Sequence, residues 1–280
     1  MHMNIGAHVS TNGGLITAVD RAKTIGAECI QCFSHAPQQW QGRGIEAHVG
    51  KQFIKTCQAN VLFPVFIHGA YLINILSDDD NIVRRSTQSL IDDLHYADAI
   101  GAMGVIFHIG SAKKEITNAS EIIASRLSKI LDSTDTKAKL ILENSAGSGY
   151  TAGSTLKSLK LIADYLPPER TSFCIDTQHA FASGYDLSSS TGIHSFIEEV
   201  QTTITWDRVD VIHLNDSKTE CGSHRDRHEN IGSGFIGAGS FKTLLNNKRL
   251  KDKAILLEVP GFDHKGPDKK NIDLVRSLFA

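Results

Sequence analysis

The sequence predicts an α/β protein, a single (β/α)8 barrel. Three observations lead there. Short β-branched runs alternate with amphipathic segments eight times, no hairpin signal separates consecutive runs, and six of the runs end in a histidine or a carboxylate. Strand then helix, repeated without hairpins, builds a parallel sheet. Eight repeats in 280 residues suit a closed barrel better than an open sheet, which usually has fewer strands.

The strands are expected at Asn4–Val9, Cys29–Ser34, Val65–His68, Gly104–His108, Leu140–Glu143, Phe173–Asp176, Val209–His213 and Ala254–Glu258. Helices with apolar residues recurring at three- and four-residue spacing are expected at Gly14–Ile25, Ile45–Ala59, Asn81–Ile100, Ser120–Leu131, Thr155–Tyr165, His194–Ile204, Ser240–Leu245 and Asn271–Phe279. No linker or tandem repeat interrupts the alternation, so residues 1–280 read as one domain. The longest irregular stretch, Asn215–Gly239, is rich in Gly, Ser, Asp and His, and loops of that length usually carry function.

Composition is that of an ordinary folded protein, with 41% hydrophobic and 21% charged residues. No run approaches the ~18 apolar residues of a membrane span, and Met1–Gly6 shows no charged leader, so the expected location is the cytoplasm. The five cysteines read as reduced thiols. Cys29 and Cys32 form a CxxC, but in a strand residues three apart face opposite sides, which argues against a redox pair. A formal charge of −2 gives no basic footprint, so any nucleic-acid site must be local. Thirteen histidines are the compositional oddity.

Those histidines fall in telling places. His68, His108, Glu143, Asp176, His213 and Glu258 each end a strand, and the residues two before them are Phe66, Ile106, Ile141, Cys174, Val211 and Leu256. Period-two alternation puts each pair on one face of its strand. If that face is the barrel interior, six ligand-type groups converge on the C-terminal mouth, where barrel enzymes keep their active sites. His179 lies three residues beyond Asp176, and Asp226 and His228 sit in the long loop. Five imidazoles and four carboxylates suit Zn2+, Mn2+ or Fe2+, and nine donors exceed what one tetrahedral ion takes. His48, His95 and His194 fall on helix faces expected to be solvated, whereas His8 and His35 lie near the mouth with no assigned role.

These residues stand in phrases that resemble the endonuclease IV family of apurinic/apyrimidinic endonucleases along nearly the whole chain. The phrases are Gly6-Ala7-His8-Val9-Ser10, His68-Gly69-Ala70-Tyr71-Leu72-Ile73-Asn74, His108-Ile109-Gly110-Ser111, Leu142-Glu143-Asn144-Ser145-Ala146-Gly147, Cys174-Ile175-Asp176-Thr177-Gln178-His179-Ala180-Phe181, His213-Leu214-Asn215-Asp216-Ser217-Lys218 and Asp226-Arg227-His228. The resemblance implies three zinc ions, with Mn2+ or Fe2+ as substitutes. His68, His108 and Glu143 would hold the first; Glu143, Asp176, His213 and Glu258 the second; and His179, Asp226 and His228 the third. Glu143 and Glu258 would be catalytic, the first by bridging two ions and the second by orienting the attacking water. Six positive charges against four carboxylates would leave the mouth attractive to phosphate whatever the net charge.

The resemblance further implies cleavage of double-stranded DNA 5′ to abasic sites, removal of blocked 3′ ends, and a monomer. Tyr71 and Leu72 match residues that wedge into the DNA stack. Gln38 stands where many members carry an arginine that enters it, Gln178 replaces a small or thiol residue, Ile109 a proline, and Ser233 a frequent glutamate. Two other readings use the same features: a metal-dependent sugar isomerase or epimerase on the same barrel, and a non-catalytic damage-binding protein.

Overall fold

Eight parallel strands hydrogen-bond around a closed ring in a computed structural model that describes residues 4–42 and 44–279. They are β1 Asn4–His8, β2 Ile30–Phe33, β3 Val65–His68, β4 Gly104–His108, β5 Lys139–Glu143, β6 Thr171–Asp176, β7 Val209–His213 and β8 Ala254–Leu257. Neighbours in sequence are neighbours in the ring, and β1 pairs in parallel with β8 to close it, Asn4 opposite Ala254 and Ala7 opposite Leu257. All eight expected strands are present. Their ends move by one or two residues, so that Glu258 falls just past β8 rather than within it.

Helices return the chain between strands: α1 Ile16–Ile25, α2 Ala47–Ala59, α3 Asp80–Ala99, α4 Ala119–Asp132, α5 Leu156–Ala163, α6 Thr177–Ser183, α7 Ser190–Thr203, α8 Ala238–Leu245 and α9 Lys269–Leu278. Several begin where a side chain satisfies an otherwise orphaned backbone N–H. Asp79 accepts from Asn81 at α3, Thr155 and Ser158 cap each other at α5, and Asp268 accepts from Asn271 at α9. His48, His95 and His194 are exposed on their helices, as expected.

Two apolar layers hold the barrel. The outer one packs helix faces against the outward strand residues, among them Phe53, Leu90, Leu94, Phe107 and Phe173. The inner one is a separate cluster of Cys29, Phe66, Ile106, Ile141, Cys174, Val211, Ala254 and Leu256. Cys29 belongs to the inner layer and Cys32 to the outer, so the CxxC cysteines do face apart. The six residues expected beneath the polar strand ends are all in the inner layer. β1 contributes Gly6 at this level, where a Cβ would lie 1.9 Å from the Cys29 carbonyl oxygen. Glycine is therefore what lets β1 and Cys29 approach each other.

Three features were not expected. The helix α6 follows directly from β6. Ser111–Ala112 pairs antiparallel with Tyr150–Thr151, and Asp216–Ser217 pairs antiparallel with His228–Glu229. The stretch Asn215–Gly239, read from sequence as irregular, is thus folded back on itself. The buried Asp216 carboxylate fixes it further, accepting backbone N–H groups from Ser217, Gly232, Gly234, Ile236 and Gly237. Ser233 is exposed on this loop, and its N–H donates to the Asn230 carbonyl. Among the described residues no helix is long and apolar enough to cross a membrane.

Candidate metal centre

One register step above the inner apolar layer, every strand turns a polar side chain toward the mouth. β1 supplies His8, β2 Gln31, β3 His68, β4 His108, β5 Glu143, β6 Asp176, β7 His213, and Glu258 follows β8. The pairing is direct: His108 lies opposite Glu143, and Asp176 opposite His213. Glu143, Asp176 and His213 are fully buried, and His68 nearly so. Such a concentration of buried ionisable groups is costly unless each is paired or holds a metal.

Ligand-type atoms come together in three overlapping groups, within each of which they lie no more than 4.8 Å apart. The groups are His68, His108 and Glu143; then Glu143, Asp176, His213 and Glu258; then Asp176, His179 and His228. Asp226 joins the third, its carboxylate lying 3.3 Å from His179 Nε2 and 3.4 Å from His228 Nε2. All nine candidates therefore stand in one cluster. Cys174 also approaches Glu143 and His213, but burial pushes its thiol up to about 12. It stays protonated in the layer below.

Hydrogen bonds on the far side of each ring decide which nitrogen is free. His68 Nδ1 sits 2.8 Å from the Gly69 carbonyl and His179 Nδ1 2.9 Å from the Asn144 carbonyl. A carbonyl only accepts, so these nitrogens carry a hydrogen and Nε2 is the atom aimed at the cluster, the one an ion would take as ligand in place of its proton. His213 is turned the other way, with Nδ1 2.9 Å from Glu143 Oε1 and Nε2 against Gln31. Such outer partners orient the ligands of metal sites. The Nε2 atoms of His179 and His228 are buried and make no well-formed hydrogen bond; the groups they face are carboxylates, Asp226 for both and Asp176 for His228.

Electrostatics couple the cluster. For Glu143, burial raises the pKa but is outweighed by His108, His213 and His68, which hold the carboxyl well below its usual range. Burial of His179 is likewise outweighed, by Asp176, Asp226 and Glu143, which lift its ring to about 10. Without a cation His68, His179 and His213 thus take protons that balance the carboxylates, whereas burial holds His108 below its usual range. A divalent ion would replace those protons. The donor set, four carboxylates with five imidazoles, fits divalent cations of the zinc, manganese or iron type.

Asparagines anchor the carboxylates. Asn144 exchanges two hydrogen bonds with the Asp176 backbone, and Asn215 reaches both Asp176 and the Glu258 N–H. Asp176 Oδ1 caps α6 through the His179 N–H, so one residue both starts the helix and faces the cluster. Gln178, fully buried, donates to the Arg225 carbonyl next to Asp226 and so ties down the loop bearing that residue.

The cluster forms the floor of a cavity of about 920 Å3 walled by His8, Phe33, Tyr71, His264 and Lys265 among others. Tyr71 is 65% exposed and stands edge-on to Phe33, at the rim. Gln38 is exposed and Leu72 half-buried, and neither lines this cavity. Sequence reasoning passed over Gln31, Asn144 and Asn215, and gave His8 no role. Gln31 shares strand parity with Cys29 and Phe33, and that parity is the signal that would have placed it inside.

Comparisons with known proteins agree with this picture. Residues 19–278 match the family described as xylose isomerase-like TIM barrel. The "Probable endonuclease 4" of Aquifex aeolicus is 31% identical over 276 residues, covering 98% of this chain and 97% of its own. The crystal structure of endonuclease IV from Thermus thermophilus superimposes with a TM-score of 0.86 at 29% identity, over 98% of both chains. A D-tagatose 3-epimerase-like protein shares the fold, with a TM-score of 0.74, but only 18% identity over 99% of this chain and 97% of its own.

Proposed function

Because the chain belongs to the endonuclease IV family of xylose isomerase-like TIM barrels, we propose that it is a metal-dependent DNA-repair hydrolase cutting the phosphodiester 5′ to abasic sites. The products are a 3′-hydroxyl and a 5′-deoxyribose phosphate, and blocked 3′ ends are a second substrate. The observation that carries this reading is the gathering of nine metal-type donors at the barrel mouth, with the buried Nε2 atoms of His179 and His228 turned toward carboxylates of the same cluster. The D-tagatose 3-epimerase-like protein shares the barrel at only 18% identity.

In this reading three zinc ions are held by His68, His108 and Glu143; by Glu143, Asp176, His213 and Glu258; and by His179, Asp226 and His228. Bound divalent cations acidify water from 15.7 toward ~7–9 and offset phosphate charge. Glu143 is common to two of the donor groups and holds them in one frame. Glu258, partly open to the cavity and with its carboxyl held well below the usual range, stays ionised to orient the attacking water. Burial raises that carboxyl's pKa, and His213, His8 and His68 outweigh it.

The four carboxylates alone would repel a phosphodiester, so cations are a condition of binding as well as of chemistry. Extruding the abasic sugar costs a few kcal/mol, least where no base is paired. Tyr71, exposed at the rim, is suited to fill the vacated stack with help from Leu72, and Gln38 faces the same DNA. The protein acts as a monomer on double-stranded DNA.

The test is incubation with a duplex carrying one abasic site, with and without chelator. Incision 5′ to the site by the untreated protein, lost on chelation and restored by zinc, is expected. Glu258→Gln should abolish incision while retaining binding in a gel-shift assay. Full incision by that variant would remove Glu258 from the mechanism, and incision that persists without metal would overturn the reading itself.

A further inference from the structure

Gln31 is fully buried at the centre of the mouth, and each of its amide atoms has a fixed duty. Its Nε2 lies 2.5 Å from Glu258 Oε1 and 2.9 Å from His8 Nδ1. Its Oε1 lies 2.7 Å from His213 Nε2. A carboxylate only accepts, so the atom facing Glu258 has to be the NH2 group, and the amide cannot be flipped. The oxygen is then committed to His213 and draws the ring hydrogen onto Nε2.

Nδ1 of the same ring faces the carboxylates of Glu143, Asp176 and Glu258 at 2.9, 3.9 and 3.5 Å. Those groups only accept, so without an ion Nδ1 also carries a hydrogen, and it is the nitrogen that an ion would free as a ligand. Gln31 therefore fixes which nitrogen of one candidate ligand keeps its hydrogen and how the carboxylate of another is oriented. The two ligands sit on β7 and just after β8, while Gln31 comes from β2, across the seam where β1 and β8 close the barrel. No backbone hydrogen bond joins β2 to β7 or β8. The link is made by the side chain.

We propose that Gln31 is a positioning residue for the metal that Glu143, Asp176, His213 and Glu258 would share, acting by keeping a hydrogen on His213 Nε2, which leaves Nδ1 as the nitrogen for the ion, and by fixing the Glu258 carboxylate. This rests on the nuclease reading for the ion but not for the Gln31–His213 bond. It also gives His8 a part, as the acceptor that takes the second amide hydrogen and stops Gln31 from rotating. An outer partner of this kind changes metal affinity or activity by about 10- to 100-fold.

The experiment compares the wild type with Gln31→Met, which keeps the size but removes all three hydrogen bonds, and with Gln31→Glu, which keeps an acceptor for His213 and loses the donor to Glu258. Zinc affinity is read by titration against a coloured chelator, apo-protein stability by thermal melting in excess chelator, and the hydrogen on His213 Nε2 by its proton chemical shift in the metal-free protein. Expected for Gln31→Met is one zinc weakened about 10- to 100-fold, the other two unchanged, an apo melting point near that of the wild type, and loss of the downfield shift that marks a hydrogen-bonded His213 Nε2–H. Gln31→Glu should keep the His213 signature and still weaken the same zinc.

Unchanged zinc affinity in Gln31→Met would overturn the proposal. So would a fall in affinity matched by a fall in apo stability, which would make Gln31 a packing residue. A wild type that binds no zinc would sink the nuclease reading instead, while the Nε2–H shift in the metal-free protein would still decide for or against the Gln31–His213 bond.

Discussion

Asn215 donates its side-chain amide to Asp176 Oδ2 across 2.6 Å, and its oxygen takes the Glu258 backbone N–H at 2.9 Å. One neutral residue in the turn after β7 thereby orients a carboxylate on β6 and places the first residue after β8. Asn215→Ala removes both bonds while leaving every candidate ligand in the chain. We expect metal affinity to fall about 10- to 100-fold and incision with it, measured by chelator competition and by a strand-cleavage assay. Affinity within twofold of the wild type would show that Asp176 is held by the fold alone.

Asp93, on α3, is buried against Ser34, with one carboxylate oxygen unpartnered. Burial lifts its pKa to about 7, against the lowering effect of Ser34. A carboxyl whose folded pKa is raised takes up protons on folding, so its contribution favours folding at low pH. That contribution is lost as pH rises from about 4 through about 7. Asp93→Asn keeps an acceptor for Ser34 and cannot ionise. It should raise stability at pH 8 by an amount on the order of 4 kcal/mol, at about 1.4 kcal/mol per pKa unit, and make little difference near pH 4. Urea denaturation at the two pH values checks this, and an equal effect at both would refute the buried charge.

Two glycines should answer the same substitution in opposite ways. At Gly6 a Cβ would lie 1.9 Å from the Cys29 carbonyl oxygen and 2.6 Å from its sulfur. Gly6→Ala should cost at least about 3 kcal/mol, at the upper end of what overpacking does, because β1 cannot move away without opening the β1–β8 seam. At Gly239 in α8 nothing lies within 4 Å of the added atom. Gly239→Ala should stabilise by roughly 0.5–1 kcal/mol through helix propensity. Equal melting points for the two variants would mean that the close approach at Gly6 is relieved at no cost.

Gln38 is exposed and directly follows Pro37, which lines the same cavity as Tyr71. A glutamine cannot offer the charged, planar group of an arginine to a base stack or a phosphate. Gln38→Arg should therefore tighten binding to an abasic duplex several-fold, about 0.5–1 kcal/mol for a partly exposed cation–π or phosphate contact. The measurement is fluorescence anisotropy in the non-cleaving Glu258→Gln background. Unaltered affinity would take Gln38 out of the DNA interface.

The barrel was legible because strand parity is a strict code. Phe66 and His68, or Val211 and His213, repeat with period two, and the inner apolar layer contains every residue that this period assigned to it. The ligand-type residues at strand ends followed from the same code. Gln31 escaped because β2 stops at Phe33, so its polar inward residue is not at the strand end. Asn144 and Asn215 escaped for another reason: they lie in turns, where no period applies, and their value lies in partners distant in sequence. The helix α6 was hidden because its start is capped by Asp176 within the strand itself, leaving no loop to mark the change.

Gln31 and Glu258 stand 227 residues apart, and the four-donor group takes residues from β5, β6, β7 and the end of β8. A nascent chain that has reached His213 therefore holds most of the donors yet has no complete centre. The four-donor group is completed only when the final strand docks beside the first, which makes closure of the barrel and assembly of the centre one event.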